Sequence, residues 1–248
     1  MLAIIGGSGL TQLSNLKLTR RQVVRTPYGE PSGAITFGRI GGREVMFLAR
    51  HGYGLTIPPH EVNYCANIWA LHSQRAGDVV SVASVGGIRA DLTPGTLVIP
   101  DQIIDYTHGR KSTFFSASDR SVTYIDFTHP YCEMLRQRLL RAAELAGETV
   151  VAGGTYAATQ GPRLETAAEI NRLERDGADI VGMTGMPEAA LAKEMGLCYA
   201  AIAVIVNHAA GRGSSKQGVR LEDIGAVSQK AMAKVGGILE KLATLDGD

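Results

Sequence analysis

Short apolar segments rich in β-branched residues alternate along this chain with longer segments of helical periodicity. The apolar segments are bounded by glycine, proline or polar stretches, which is typical of buried strands. The predicted strands are residues 2–5, 22–25, 34–40, 44–49, 78–84, 96–100, 149–158, 180–183 and 197–206. The predicted helices are residues 61–74, 130–146, 165–176, 188–195 and 221–242.

This alternation indicates an α/β fold. Strands separated by helices of this length need crossover connections, which favour a largely parallel sheet covered on both faces. No internal repeat or low-complexity linker interrupts the pattern, so we predict a single domain over residues 1–248. Residues 211–218, GRGSSKQG, have loop composition throughout and predict a mobile loop.

Composition and charge narrow the possible functions. The net charge of +1 provides no field that would attract nucleic acid or an anionic membrane. No stretch approaches the roughly 18 apolar residues of a membrane span, and the first residues lack the basic region of a signal peptide. We therefore expect a cytoplasmic protein with no nucleic-acid or membrane partner.

The cysteines and histidines do not suggest a cross-link or a metal site. Cys65, Cys132 and Cys198 are widely spaced and form no CxxC pair, so we expect neither a disulfide framework nor a zinc site. The histidines also lack metal-ligand spacing, and no metal is expected.

A glycine-rich turn, Gly6-Gly7-Ser8-Gly9, follows the first predicted strand. Glycines let backbone N–H groups converge on an anion, and Ser8 adds a hydroxyl donor. The turn fits neither the dinucleotide fingerprint nor the Walker loop, because the required spacings are absent. An ordinary tight turn would have the same composition.

Polar residues follow two further predicted strands. Arg50 and His51 would suit an anion, with Arg50 donating two parallel hydrogen bonds, although a surface salt bridge would use the same residues. Thr184 would add a hydroxyl, or cap the helix that begins near Pro187. Because ligands gather at the carboxyl ends of parallel strands, these residues predict one anion site.

Asn207 and His208 follow the predicted strand 197–206. An amide both donates and accepts hydrogen bonds, so Asn207 suits the recognition of a polar ligand, with ordinary loop polarity as the alternative. No Ser-His-Asp or Cys-His order indicates a nucleophile. The residues alone predict an α/β enzyme that binds an anion and go no further.

Five ordered segments resemble the trimeric purine nucleoside phosphorylase family, in particular its methylthioadenosine phosphorylase branch. They are IIGGSGL, ARHGYGLTIPPHEVNYCANIWAL, the stretch from Pro94-Gly95 to Asp101-Gln102, TQGPRLETAAEI and VGMTGMPEAALAKEMGLCYAAIAV. The resemblance covers most of the chain up to about Val206. It implies a mixed, mostly parallel, distorted barrel-like sheet flanked by helices, a homotrimer, and no cofactor beyond inorganic phosphate as co-substrate.

The resemblance also implies roles for individual residues. The phosphate ligands would be Ser8, Arg50, His51, Ala83, Ser84 and Thr184. Further substrate contacts would come from Met183 under the ribose, Leu164 near the base, and Tyr124, which would reach a neighbouring subunit's site. His51 and Asn207 would be the catalytic residues, Asn207 by stabilising the departing purine.

Two departures from the family pattern decide the expected substrate. Adenine-specific relatives place Asp-Tyr-Asp where this chain has Asn207, His208 and Ala209. A carboxylate accepts a hydrogen bond from a 6-amino group but repels a 6-oxo group, to which asparagine can donate. Ordinary 6-oxopurine phosphorylases place a histidine for the 5′-hydroxyl near the start of the last helix. Here that region has the apolar residues Val219, Leu221 and Ile224, which suggest an apolar pocket but would also suit an amphipathic helix core.

These features predict phosphorolysis of S-methyl-5′-thioinosine to hypoxanthine and 5-methylthioribose 1-phosphate. Three alternatives stay open. They are a methylthioadenosine phosphorylase, an inosine or guanosine phosphorylase, and a nucleoside-binding module without catalysis. A hydrolase of the same superfamily would differ by releasing the base without phosphate.

Overall fold

The computed structural model describes residues 1–10, 15–115 and 123–245. In these residues the strands are β1 (Leu2–Gly6), β2 (Lys17–Gln22), β3 (Ile35–Ile40), β4 (Arg43–Ala49), β5 (Asp78–Gly87), β6 (Leu97–Ile99), β7 (Gln102–Asp105), β8 (Val150–Ala152), β9 (Thr155–Ala158), β10 (Ile180–Gly182) and β11 (Cys198–His208). The helices are α1 (Tyr64–Ser73), α2 (Glu133–Leu145), α3 (Ala167–Arg175), α4 (Gly185–Glu194) and α5 (Leu221–Leu245).

The central strand of the sheet is β5, which pairs with β1, β10 and β11. One path through the sheet runs β2-β3-β4-β1-β5-β10-β9-β7, and β11 leads from β5 to β6 and β8. Strands β1 and β11 run parallel to β5, whereas β10 runs antiparallel. The sheet is therefore mixed and mostly parallel and divides at β5 into two branches, which confirms the predicted fold class.

Alternate side chains of β5 enter two separate apolar clusters. Val79 and Val85 pack in a cluster with residues of α1 and α4, whereas Val80 and Val82 pack in a cluster with residues of α2 and α5. A strand covered by helices on both faces needs an almost continuous apolar sequence. The sequence of β5, DVVSVASVGG, meets that requirement and places the strand in the core.

Several strand boundaries differ from those predicted. Strand β2 lies at 17–22 rather than 22–25, because this exposed edge strand has a charged sequence, KLTRRQ, with no apolar periodicity. Strand β7 was not predicted. The predicted strand 149–158 divides into β8 and β9 at Gly153 and Gly154, both of which have positive φ. Asn207 and His208 form the end of β11 instead of following it.

A disulfide joins Cys132 to Cys198, so the expectation of no disulfide is wrong. Cys132 immediately precedes α2, and its N–H donates to the carbonyl of Tyr199 at 2.8 Å. The start of α2 thus lies against the start of β11, which brings together two cysteines 66 positions apart. Their spacing carries no sign of this packing. Cys65 is free and buried.

The predicted loop at 211–218 contains a short 3₁₀ turn over Gly213–Ser215. The N–H of Gly211 donates to the carbonyl of Ser215, and the side chain of Arg212 pairs with Glu174 of α3. None of the helices described in the structure is long and apolar enough to cross a membrane.

Candidate active site

A cavity of about 340 Å³ opens at the carboxyl ends of β1, β4, β5, β10 and β11. The predicted site residues that line it are Ser8, Arg50, His51, Ala83, Ser84, Leu164, Met183, Thr184, Asn207, Ala209 and Ile224. These positions are far apart in the chain. Strands β1, β4, β5 and β11 run parallel and end at the same edge of the sheet, whereas β10 runs antiparallel to β5 and pairs with Gly86 and Gly87 at that edge. Two predicted site residues, Leu221 and Tyr124, do not line the cavity.

Arg50 is completely buried and donates its two parallel hydrogen bonds to another side chain of the protein. Its Nε and Nη2 donate to the carboxylate of Glu188 at 2.7 and 2.9 Å. Nη2 also donates to Ser81 Oγ, and Nη1 donates to the carbonyl of Val82. The expected bidentate clamp on a ligand is therefore wrong, because Glu188 occupies that edge of the guanidinium. One N–H of Nη1 is left for the cavity.

The glycine turn lies directly against this guanidinium. A Cβ atom at Gly7 would be 3.2 Å from Arg50 Nη1 and 2.6 Å from the carbonyl oxygen of Val82. Real side chains do not approach a backbone oxygen so closely, so only glycine fits here. The N–H of Arg50 donates to the carbonyl of Gly6 at 2.9 Å, which ties the turn to the end of β4.

His51 is oriented by its neighbour across the loop. Its Nδ1 lies 2.8 Å from the carbonyl oxygen of Ile57, and a carbonyl can only accept, so Nδ1 carries the proton. Burial, and then the charge of Arg50, hold the pKa of His51 below its ordinary value. The neutral ring consequently has Nε2 free to accept a hydrogen bond.

Thr184 occupies the N-cap position of α4, but its side chain makes no capping hydrogen bond. The prediction that Thr184 caps the helix is therefore right about the position of the residue and wrong about the hydrogen bond of its side chain. The residue is buried, and its backbone N–H lies 3.3 Å from the hydroxyl of Tyr156. Thr184 lines the cavity together with the neighbouring Met183.

Two polar side chains lie at another end of the cavity. Asn207 donates from Nδ2 to the carbonyl of His208 at 2.7 Å, which leaves one N–H and the amide oxygen for a ligand. Glu165 accepts a hydrogen bond from the Thr159 hydroxyl on Oε1, at 2.6 Å. Ala209 lies beside them and contributes no polar group.

Sequence reasoning missed Glu165 because it assigned the residue to a helix. Helix α3 begins only at Ala167, after an N-cap at Thr166 whose side chain bonds to Glu169. Glu165 thus stands outside the helix and in the cavity wall. The capping pattern Thr-x-x-Glu was a signal that could have placed the helix start correctly.

The apolar end of the cavity includes Val219 and Ile224. Leu55 and the adjacent residues Pro58 and Pro59 also line it. Leu221, which was predicted to contact the substrate, does not line this cavity. This side chain is 66% exposed, because the residue begins α5 at the surface, before the helix reaches the cavity.

Tyr124 is 90% exposed and lies outside the cavity of its own chain. Its contact with a neighbouring subunit stays a prediction.

Arg110 was also missed, and it joins the segment that follows β9 to the segment that follows β10. Its Nη1 donates to the carbonyls of Met183 and Met186, and its Nη2 to those of Thr159 and Gln160. A lone arginine in a polar stretch carries no sequence signal of such bonds.

The arrangement suits a ligand with three chemically different parts. One end offers hydroxyls, backbone N–H groups and one arginine N–H to an anion. Another end offers an amide and a carboxylate to a polar group, and a third is apolar. No cluster of three or more His, Cys, Asp or Glu side chains able to hold a metal occurs in the described ranges.

Comparison with known families gives a match over almost the whole chain. The model of the phosphorylase superfamily matches residues 1–244. A "Probable S-methyl-5'-thioinosine phosphorylase" of Pseudomonas syringae pv. tomato is 51% identical over 240 residues, which are 97% of each chain. A "6-oxopurine nucleoside phosphorylase" of Pyrococcus furiosus is 45% identical over 220 residues, 87% of this chain and 82% of the relative.

Solved structures include close matches to the fold. The methylthioadenosine phosphorylase of Schistosoma mansoni in complex with adenine superposes with a TM-score of 0.94 at 32% identity. The match covers 99% of this chain and 91% of that one. A complex of the Schistosoma enzyme with tubercidin gives a TM-score of 0.91 at the same identity.

Proposed function

The chain belongs to the phosphorylase superfamily, and from that premise we propose that it catalyses the phosphorolysis of S-methyl-5′-thioinosine. The products are hypoxanthine and 5-methylthioribose 1-phosphate. The observation that carries the proposal is that Asn207 and Glu165 line the same cavity and that Ala209 adds no carboxylate to it. The relatives named S-methyl-5'-thioinosine phosphorylase support it.

Phosphate binds at the anion end in this scheme. The hydroxyls of Ser8, Ser84 and Thr184, the backbone at Ala83 and the free N–H of Arg50 donate to its oxygens. His51 accepts a hydrogen bond on Nε2 from a protonated phosphate oxygen. Holding phosphate beside the sugar makes its attack on C1′ effectively unimolecular.

The polar end stabilises the leaving group. A 6-oxopurine presents a donor at N1 and acceptors at O6 and N7. The carboxylate of Glu165 accepts from N1–H, and the free N–H of Asn207 donates to O6 or N7. Negative charge develops on the purine as the glycosidic bond breaks, so the Asn207 bond strengthens in the transition state. A 6-aminopurine has an acceptor at N1 and is repelled by Glu165.

The apolar end selects the 5′ substituent. Val219 and Ile224 offer no hydrogen bond to a 5′-hydroxyl, and burying that hydroxyl without a partner is costly. A methylthio group needs no partner and gains from the burial of its apolar surface. Met183 also lines the cavity, and in this scheme it contacts the ribose.

We further propose that the protein acts as a homotrimer in the cytoplasm and needs no cofactor besides phosphate. The exposed Tyr124 would then reach the cavity of a neighbouring subunit. Sedimentation equilibrium of the wild type tests the assembly. Activity assays of the wild type and Tyr124→Ala test the contribution of this residue.

Initial rates with three substrates test the proposal most directly. The substrates are S-methyl-5′-thioinosine, methylthioadenosine and inosine, each with and without phosphate. We expect kcat/KM to be highest for the first and turnover to require phosphate. A preference of about tenfold for methylthioadenosine would refute the role given to Asn207 and Glu165.

Two related activities are the alternatives. The structural match to the Schistosoma enzyme favours methylthioadenosine, whereas the name of the Pyrococcus relative favours 6-oxopurine nucleosides such as inosine. The same assay separates them, since methylthioadenosine differs from S-methyl-5′-thioinosine at the base and inosine differs from it at the 5′ position. Release of base without phosphate would indicate a hydrolase, and binding without turnover a nucleoside-binding module.

A further inference from the structure

We propose that Glu188 cancels the charge of Arg50, so that the anion end of the cavity holds phosphate through donors without net charge and leaves the phosphate's own charge uncompensated. The inference deepens the proposed function and rests on it. Glu188 does not line the cavity and acts through Arg50, so it is a positioning residue.

The ion pair between Arg50 and Glu188 is formed entirely by groups of the protein. Both side chains are 0% exposed, and two hydrogen bonds join the guanidinium to the carboxylate. The Glu188 oxygen Oε1 also accepts a hydrogen bond from the hydroxyl of Tyr199 at 2.9 Å. Although burial alone would lower the pKa of Arg50, its attraction to Glu188 raises that pKa, so the cation persists at every working pH.

The described residues supply no other positive charge at this end. The side chains of Ser8, Ser84 and Thr184 offer only hydroxyls. His51 is neutral near pH 7, because burial and Arg50 lower its pKa. Among the described residues that line the cavity, Arg50 is the sole lysine or arginine, and its charge is matched.

This balance changes how phosphate acts. An unmatched arginine would stabilise the negative charge of bound phosphate more in the ground state than in the transition state, where that charge is already attracted to the positive sugar, so it would raise affinity and lower kcat. Phosphate held by neutral donors keeps its net negative charge in a site of low dielectric. That charge attracts the sugar only as the sugar becomes positive, so the stabilisation falls mainly on the transition state.

The test is Glu188→Gln, which keeps the shape and one acceptor oxygen but removes the charge. We expect the Kd of phosphate without nucleoside to fall about tenfold or more, and kcat at saturating phosphate to fall by a comparable factor. Calorimetric titration with phosphate, and with sulfate as an unreactive probe, measures the Kd in low-salt buffer. Initial rates at saturating phosphate measure kcat. Unchanged or weaker anion binding by the folded variant would overturn the proposal.

Tyr199→Phe is the matched control, because it removes a hydrogen bond from Glu188 without changing charge. We expect its phosphate Kd to stay within about twofold of the wild type. A purely structural Glu188 would instead weaken anion binding in Glu188→Gln, with kcat and affinity falling together.

A buried cation without a partner can prevent folding. If Glu188→Gln is unfolded in anion-free buffer, the proposal requires that millimolar sulfate restores cooperative thermal unfolding, and failure to restore it would overturn the proposal. Anion titrations need no turnover. A wild type that lacked phosphate-dependent activity would therefore refute the proposed function, while the two Kd values would still decide the role of Glu188.

Discussion

The guanidinium of Arg110 donates a 2.8 Å hydrogen bond from Nη1 to the main-chain carbonyl of Met183. Nη2 of the same side chain donates to the carbonyl of Gln160 at 2.8 Å. Met183 and Thr184 follow β10, whereas Gln160 leads to Leu164 and Glu165. One side chain thus joins the segment proposed to contact the ribose to the segment proposed to contact the base.

Replacing this arginine should loosen the cavity without removing a contact to substrate. We expect Arg110→Met to lower kcat/KM by about a hundredfold, because displacements of about 1 Å in an active site have that effect. Arg141→Met is the control, since Arg141 lies exposed on α2 in an ion pair with Glu144. Initial rates and thermal unfolding of both variants provide the measurement. Equal activity losses in the two variants would contradict the role of Arg110.

The base preference should change when carboxylates are restored at the end of β11. We expect Asn207→Asp combined with Ala209→Asp to shift the kcat/KM ratio toward methylthioadenosine by about ten- to a hundredfold. A carboxylate accepts from the 6-amino group and repels O6. Competition between the two nucleosides in one reaction measures the ratio. An unaltered ratio would remove these two positions from the specificity argument.

The stability of the protein should depend on the protonation of His51. Its pKa in the folded state lies below the ordinary value of 6.5 because the ring is partly buried and near Arg50. Below pH 6.5 the unfolded chain therefore binds more protons, and the free energy of unfolding falls as pH falls, by at most about 1.4 kcal/mol per pH unit. His51→Gln should lack this contribution.

Urea unfolding of both proteins at several pH values between 7.5 and 5 measures the difference. Other titrating groups contribute to both proteins equally, so the relevant quantity is the wild type minus the variant. Parallel pH profiles would show that His51 does not resist protonation.

The close approach of the glycine turn to Arg50 should make Gly7 intolerant of substitution. We expect Gly7→Ala to weaken phosphate binding by at least about tenfold, because the new methyl group displaces the carbonyl of Val82 or the guanidinium. Phosphate titration of the variant measures the effect. The control is Gly236→Ala in α5, where nothing lies within 4 Å of a new Cβ. That variant should be more stable by about 0.5–1 kcal/mol and bind phosphate normally.

The sequence was sufficient to predict which residues that follow strands lie together in one cavity. Ser8, Arg50 and Thr184 each follow an apolar segment, and the topology of the sheet brings them together. Sequence reasoning failed where a residue's role depends on a distant partner. Glu188 suits the first turn of a helix, and nothing nearby indicates that it pairs with Arg50, 138 positions away.

The same limit explains the errors in the fold. The exposed strand β2 pairs through its backbone, so its side chains show no periodicity. Cys132 and Cys198 meet only because α2 packs against β11. By contrast, β5 was recognised from its composition, since a strand buried on both faces must be apolar throughout.

The pairing of β5 with β11 has a consequence for the chain as it leaves the ribosome. Residues 78–87 pair with residues 198–208 along their whole length, so one edge of the central strand stays open until more than a hundred further residues have been synthesised. An open apolar strand edge is a template for association with other chains. Nascent chains that stop before β11 would therefore contain all the proposed phosphate ligands and yet be the species most prone to aggregate.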